Sequence, residues 1–122
     1  MILADTSVWI DHFRSGNQEL QRQLTRDQIA IHPCIVAELA LGSLKDRAKT
    51  LALLDRLPRV RVAQLHEIRT LTEARRLYGL GIGLTDAHLI ASLLIDPPTL
   101  LWTTDKQLRK AAESLGIHAN LP

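Results

Sequence analysis

The sequence predicts an α/β fold in which helices pack on a parallel sheet, and three observations carry that reading. Short apolar runs alternate with longer amphipathic stretches along the chain, the pattern of strand–helix repetition. Aromatic residues make up only 3 % of the composition, so the core must be drawn from Leu, Ile, Val and Ala, which suits helix packed on sheet. At 122 residues the chain is long enough to bury such a core as one domain, residues 1–122, without a disulfide or structural metal.

The elements follow in order. Ile2–Ala4 reads as a buried first strand, and Asp5, followed by Thr6 and Ser7, can cap a first helix. Asn17 can cap another helix, running to about Arg26, and residues 28–32 form a second strand. Pro33 is placed as the first residue of the next helix, where its missing N–H is no loss. Residues 45–57 repeat apolar side chains at helical spacing and stop at Pro58; residues 59–63 alternate and read as a third strand, nearer an edge. Another helical pattern covers residues 67–78 and ends at Gly79. The glycines between 79 and 83 form a turn, with Thr85 as the cap of a helix beginning at Asp86. Pro97 and Pro98 lead into a fourth strand, residues 99–103. Thr104 or Asp105 caps the last helix, which closes at Gly116 before a short fifth strand at residues 117–119.

Composition narrows the function classes. The single cysteine, Cys34, excludes an internal disulfide and a zinc site built on cysteines, and in its apolar run it reads as a small buried hydrophobe. Residues 1–4 lack a basic start and Asp5 ends the apolar run, so no export signal is visible and a cytoplasmic location is expected. The longest apolar stretch, residues 87–95, is interrupted by His88 and falls short of the roughly 20 residues a membrane span needs. Net charge is only +2, but the basic residues are mostly Arg, the better fork for phosphate, and they cluster between Lys45 and Arg61 and at Arg69, Arg75 and Arg76.

Four acids stand apart from the charged surface. Asp5 follows directly on the first strand. Glu38 is the only charge between Pro33 and Leu44, where Cys34, Glu38 and Leu41 share a helical face. Asp86 is the only carboxylate between Leu77 and Ile95, and Asp105 is the first charge after the fourth strand. Singly, Asp5, Asp86 and Asp105 are explained by helix capping or the helix dipole. Glu38, mid-helix, is not. If the first and fourth strands are neighbours, their carboxyl ends flank the crevice where open α/β sheets bind ligands. Two unit charges about 4 Å apart repel by roughly 4 kcal/mol at an effective dielectric near 20, so four such acids need a strong positive charge among them. Apart from Lys106 no basic residue adjoins them in sequence, and an all-oxygen set suits Mg²⁺ or Mn²⁺ rather than zinc.

Four segments carry a family resemblance. Leu3-Ala4-Asp5-Thr6-Ser7-Val8-Trp9-Ile10, Val36-Ala37-Glu38-Leu39 followed by Gly42, Leu84-Thr85-Asp86-Ala87-His88-Leu89-Ile90-Ala91, and Trp102-Thr103-Thr104-Asp105 resemble, in order and spacing, the four motifs of PIN-domain nucleases, and more narrowly of VapC-type toxins. The resemblance implies a three-layer α/β/α domain, a five-stranded parallel sheet in the order 3-2-1-4-5 with helices on both faces, endoribonuclease activity dependent on Mg²⁺ or Mn²⁺, a homodimer, and inhibition by a VapB-type antitoxin. With it, Asp5 and Asp86 are expected as direct metal ligands, Asp105 as a ligand through water or to a second ion, and Glu38 as the group that orients or deprotonates the attacking water. Thr6 and Thr104 are expected to supply hydroxyls. His88 is set aside as a base, because two positions along a helix point apart. The alternative from another class is a receiver-type signalling domain that accepts phosphate, whose acids come mainly from strand ends; Glu38 and Asp86, on helices, speak against it.

Overall fold

A computed structural model describes residues 1–122. Its first strand, β1 (Ile2–Ala4), is followed by helices α1 (Thr6–Ser15) and α2 (Gln18–Thr25) and then by β2 (Ile29–Ala30). Four helices come next: α3 (Pro33–Leu41), α4 (Arg47–Asp55), α5 (Leu65–Ala74) and α6 (Leu84–Ile95). β3 (Leu100–Trp102) and α7 (Lys106–Ser114) complete the order.

The sheet is parallel, in the order β2-β1-β3, with Ile2 opposite Ile29 on one side and Ala4 opposite Trp102 on the other. Neighbours along a strand point to opposite faces, yet Leu3 and Ala4, and likewise Leu101 and Trp102, are all fully buried. Both faces of the sheet are therefore covered, as a three-layer α/β fold requires. β1 lies at the centre, paired on both sides, and its apolar residues bury on both faces.

The structure has three strands rather than the five expected. The two missing strands survive as single parallel bridges at the places the order 3-2-1-4-5 assigns them: Arg59 beside Ile31, and His118 beside Leu101. The reason is hydrogen bonding. Ile31 N–H donates to Pro58 C=O and Val60 N–H to Ile31 C=O, but the next rung falls on Pro33, which has no N–H and opens α3; Arg61 N–H and Ala63 N–H, on the opposite side of the segment, donate to Asp96 Oδ2 at 3.0 Å and Ser92 Oγ at 3.2 Å. At the other edge Asn120 N–H turns back to His118 Nδ1, and Asn120 itself takes a positive φ of 56° that ends the strand.

Most helix signals act as read. Asn17 Oδ1 accepts from Leu20 N–H at 2.9 Å, and Pro33 opens α3. Two starts differ. α5 begins at Leu65 through a capping box in which Glu67 accepts from Gln64 N–H. α6 begins at Leu84 with Gly83 as its cap, so Thr85 lies inside the helix. Gly79 and Gly81 in the preceding turn take φ of 72° and 74°, the left-handed region glycine enters without strain.

Candidate active site

The adjacency of β1 and β3 brings the two ends of the chain's reading to one sheet edge. Asp5 leaves the carboxyl end of β1 and Thr103, Thr104 and Asp105 leave that of β3, at the point where the chain has turned to opposite sides of β1. Asp5 is buried and does two jobs. Its Oδ1 accepts from Thr6 N–H at 2.8 Å, capping α1, while Oδ2 accepts from the hydroxyls of Thr103 at 2.8 Å and Ser7 at 3.3 Å. Thr103 Oγ1 in turn accepts from Asp105 N–H at 3.1 Å, so one buried hydroxyl joins the two acids.

Asp105 is exposed and caps α7, its Oδ1 accepting from Leu108 N–H at 2.8 Å. Glu38, also exposed, accepts from Thr6 Oγ1 at 2.7 Å. The face of α3 it shares with Cys34 opens to solvent toward Leu41, which is 89 % exposed. Asp86 is half-buried in the first turn of α6.

The electrostatics put the four acids in one neighbourhood. Burial holds the Asp86 carboxyl above the usual carboxylate range, helped by the negative charges of Asp5, Asp105 and Glu38 and opposed by Gly83 N–H. Burial also raises Asp5 despite its three hydrogen bonds, with Glu38 adding to the rise. No Lys or Arg forms an ion pair with any of the four: the ion pairs of the molecule are Arg22–Glu19 and Arg109–Glu113. An open cleft of about 300 Å³ adjoins Glu38 and is lined by Ile10, Phe13 and Arg14 of α1 and by residues 39 and 42–44.

Sequence reasoning selected Thr104, but the hydroxyl that reaches Asp5 is Thr103's. Thr104 presents its backbone N–H to Ser7 Oγ at 3.3 Å, and its own exposed hydroxyl has no protein partner. His32 was also missed. Fully buried, it accepts from Cys34 N–H at Nδ1, 3.0 Å away, capping the helix that carries Glu38, and its Nε2 meets Ser92 Oγ of α6, the helix that carries Asp86, at 3.1 Å. The signal for it was the His-Pro junction at the helix start, because a side-chain acceptor before an N1 proline caps a helix as Asn or Asp does.

A family model described as PIN domain matches residues 2–114. The chain belongs to the PIN-domain family. Among relatives within it, Ribonuclease VapC32 of Mycobacterium tuberculosis, in strains CDC 1551 / Oshkosh and ATCC 25618 / H37Rv, is 42 % identical over 117 residues. The alignment covers 96 % of this chain and 94 % of the relative, and the family match over residues 2–114 takes in all four motif segments. No helix is long and apolar enough to cross a membrane.

Proposed function

We propose that this PIN-domain protein is a metal-dependent endoribonuclease, the toxin of a VapBC-type toxin–antitoxin pair. It works as a single nuclease domain over residues 1–122 in the cytoplasm, as a homodimer silenced by a VapB-type antitoxin. One observation carries the reading: Asp5, Glu38, Asp86 and Asp105 share an electrostatic neighbourhood at the sheet's carboxyl edge with no Lys or Arg in ion-pair contact. The name of the relative, a ribonuclease, supports RNA as the substrate.

The donor set fits a hard divalent cation. All four groups are carboxylates, and two are held above their ordinary range by burial and mutual repulsion, which a cation between them reverses. Asp5 and Asp86 would hold Mg²⁺ or Mn²⁺ directly, with Asp105 through water or at a second ion. Bound there, the cation supplies Lewis acidity toward water and the scissile phosphate. Glu38 has one oxygen held by Thr6, which leaves the other to orient the attacking water and take its proton. Hydrolysis then leaves a 5′-phosphate and a 3′-hydroxyl. Arg14 in the cleft beside Glu38, and the exposed Arg59 near the same sheet edge, grip flanking phosphates. That two of the acids stand on helices α3 and α6 favours this reading over a receiver-type phosphoacceptor.

The test is cleavage of RNA by purified protein with Mg²⁺ or Mn²⁺ and with EDTA, beside the Asp5→Asn variant. Discrete cuts with the stated end groups are expected with metal and none with EDTA. Asp5→Asn should lose activity by a factor on the order of 10²–10³ with an unchanged circular dichroism spectrum. Undiminished cleavage in EDTA, or by Asp5→Asn, would sink the proposal.

A further inference from the structure

One turn of α3 from Glu38 lies a second group of ligand-type side chains that the nuclease chemistry does not use. His32, Cys34 and His88 bring two ring nitrogens and a thiol sulfur to within 4.8 Å of one another. The two rings are crossed at 64° with centroids 6.1 Å apart, so they do not stack on each other. The single cysteine rules out a site made of several thiolates, but a mixed site needs only one.

Three features prepare this group for a cation. Because Cys34 N–H donates to His32 Nδ1, the neutral ring carries its proton on Nε2 and donates it to Ser92 Oγ. The Nδ1 lone pair therefore faces the first turn of α3, where Cys34 sits, while the opposite N–H is anchored by Ser92, as the second nitrogen of a ligating imidazole normally is. His88 Nδ1 is buried with no hydrogen-bond partner. Lastly, burial holds the Cys34 thiol above its ordinary range, and the negative charge of Glu38, one turn along α3, adds to the rise; the same charge favours a cation that brings the thiolate with it.

We propose that His32, Cys34 and His88 form a second metal site, selective for a borderline-soft cation of the zinc type, with its fourth position open to water or to Glu38. Two imidazoles and a thiolate select zinc over magnesium. In a tetrahedral zinc site the donors stand roughly 3.3–3.8 Å apart, so separations of up to 4.8 Å need to shorten by about 1.5 Å or less to close on the ion. Binding replaces the Cys34 N–H···Nδ1 bond with a metal bond and releases the thiol proton to solvent. It also ties the start of α3 to α6, the two helices that carry Glu38 and Asp86.

Titration of Co²⁺ into the full chain, held in saturating Mg²⁺ under reducing conditions, tests this. Cobalt takes zinc's geometry, and a thiolate ligand gives it a near-ultraviolet charge-transfer band beside the intense visible bands of a tetrahedral site. Both should appear at one equivalent and be bleached by Zn²⁺. They should be lost in Cys34→Ser, weakened in His88→Ala and kept in Asp5→Asn, which separates this site from the acid cluster. Zn²⁺ should also slow labelling of Cys34 by a thiol reagent by about tenfold or more in the unmutated protein, a reading that requires no variant to fold. Absence of a thiolate band with unchanged labelling overturns the proposal. Bands that vanish in Asp5→Asn, placing the ion among the carboxylates, overturn it equally.

Discussion

Asp5 and His32 are both buried near one sheet edge, and acid acts on them in opposite senses. Asp5 is raised above 3.8 chiefly by burial, so in metal-free protein its penalty is full above the raised native value and is relieved as pH falls through that value toward 3.8. His32 is lowered from 6.5 to about 4 by burial, with the charges of His88 and Arg59 adding to the shift. Its ring stays neutral in the fold while the unfolded chain takes up a proton, so stability is lost as pH falls from 6.5 to about 4, by roughly 3 kcal/mol. His32→Asn keeps a capping oxygen but does not titrate. Urea unfolding in EDTA at pH 7 and near pH 4.5 should show His32→Asn losing about 2 kcal/mol less than the unmutated protein over that interval. Equal losses would mean that His32 is not the acid-sensitive group.

The bracing of α3 against α6 runs through Ser92, which is fully buried and serves both His32 Nε2–H and Ala63 N–H. Ser92→Ala strands two buried donors, so it should lower stability by about 2–4 kcal/mol, read as a shift in the urea midpoint with m unchanged. A loss under about 1 kcal/mol would show that neither bond matters. What the sequence revealed at this scale was whatever rests on local chemistry. Asn17 and Pro33 mark helix starts by their own side chains, and the apolar Ile2–Ala4 run could only be an inner strand. The acids Asp5, Glu38, Asp86 and Asp105 were legible because each stood alone in an apolar setting. What stayed hidden depends on partners far along the chain. Residues 59–63 alternate like a strand, but the neighbour they would pair with turns into α3 at Pro33 after a single rung, and Asp96 and Ser92, 35 and 29 residues away from Arg61 and Ala63, hold the other side of the segment. Thr103 was passed over for Thr104 because strand phase decides which hydroxyl turns inward, and one residue reverses it.

Across the whole molecule, positive charge is left free while negative charge is gathered. Arg14, Arg56, Arg59, Arg61, Arg69, Arg75 and Arg76 are exposed and unpaired with carboxylates, whereas four acids crowd one sheet edge. For a nuclease this divides grip from chemistry, since an acidic pocket repels a polyanion until cations screen it. Arg14→Ala with Arg59→Ala should therefore weaken RNA binding and reduce the slope of log affinity against log salt by about 1.4, at about 0.7 per lost phosphate contact on a single strand. Fluorescence anisotropy across a salt series with an inactive Asp5→Asn background measures it, and an unchanged slope would remove these residues from the RNA path.

The bond between Asp5 and Thr103 spans 98 positions, and β1 gains its second neighbour only when residues 100–102 arrive. A ribosome making this protein therefore carries a chain with an unfinished sheet until those residues have emerged. The acids at this sheet edge are brought together in one step, and any message cut short before those codons yields a chain that cannot assemble the cluster.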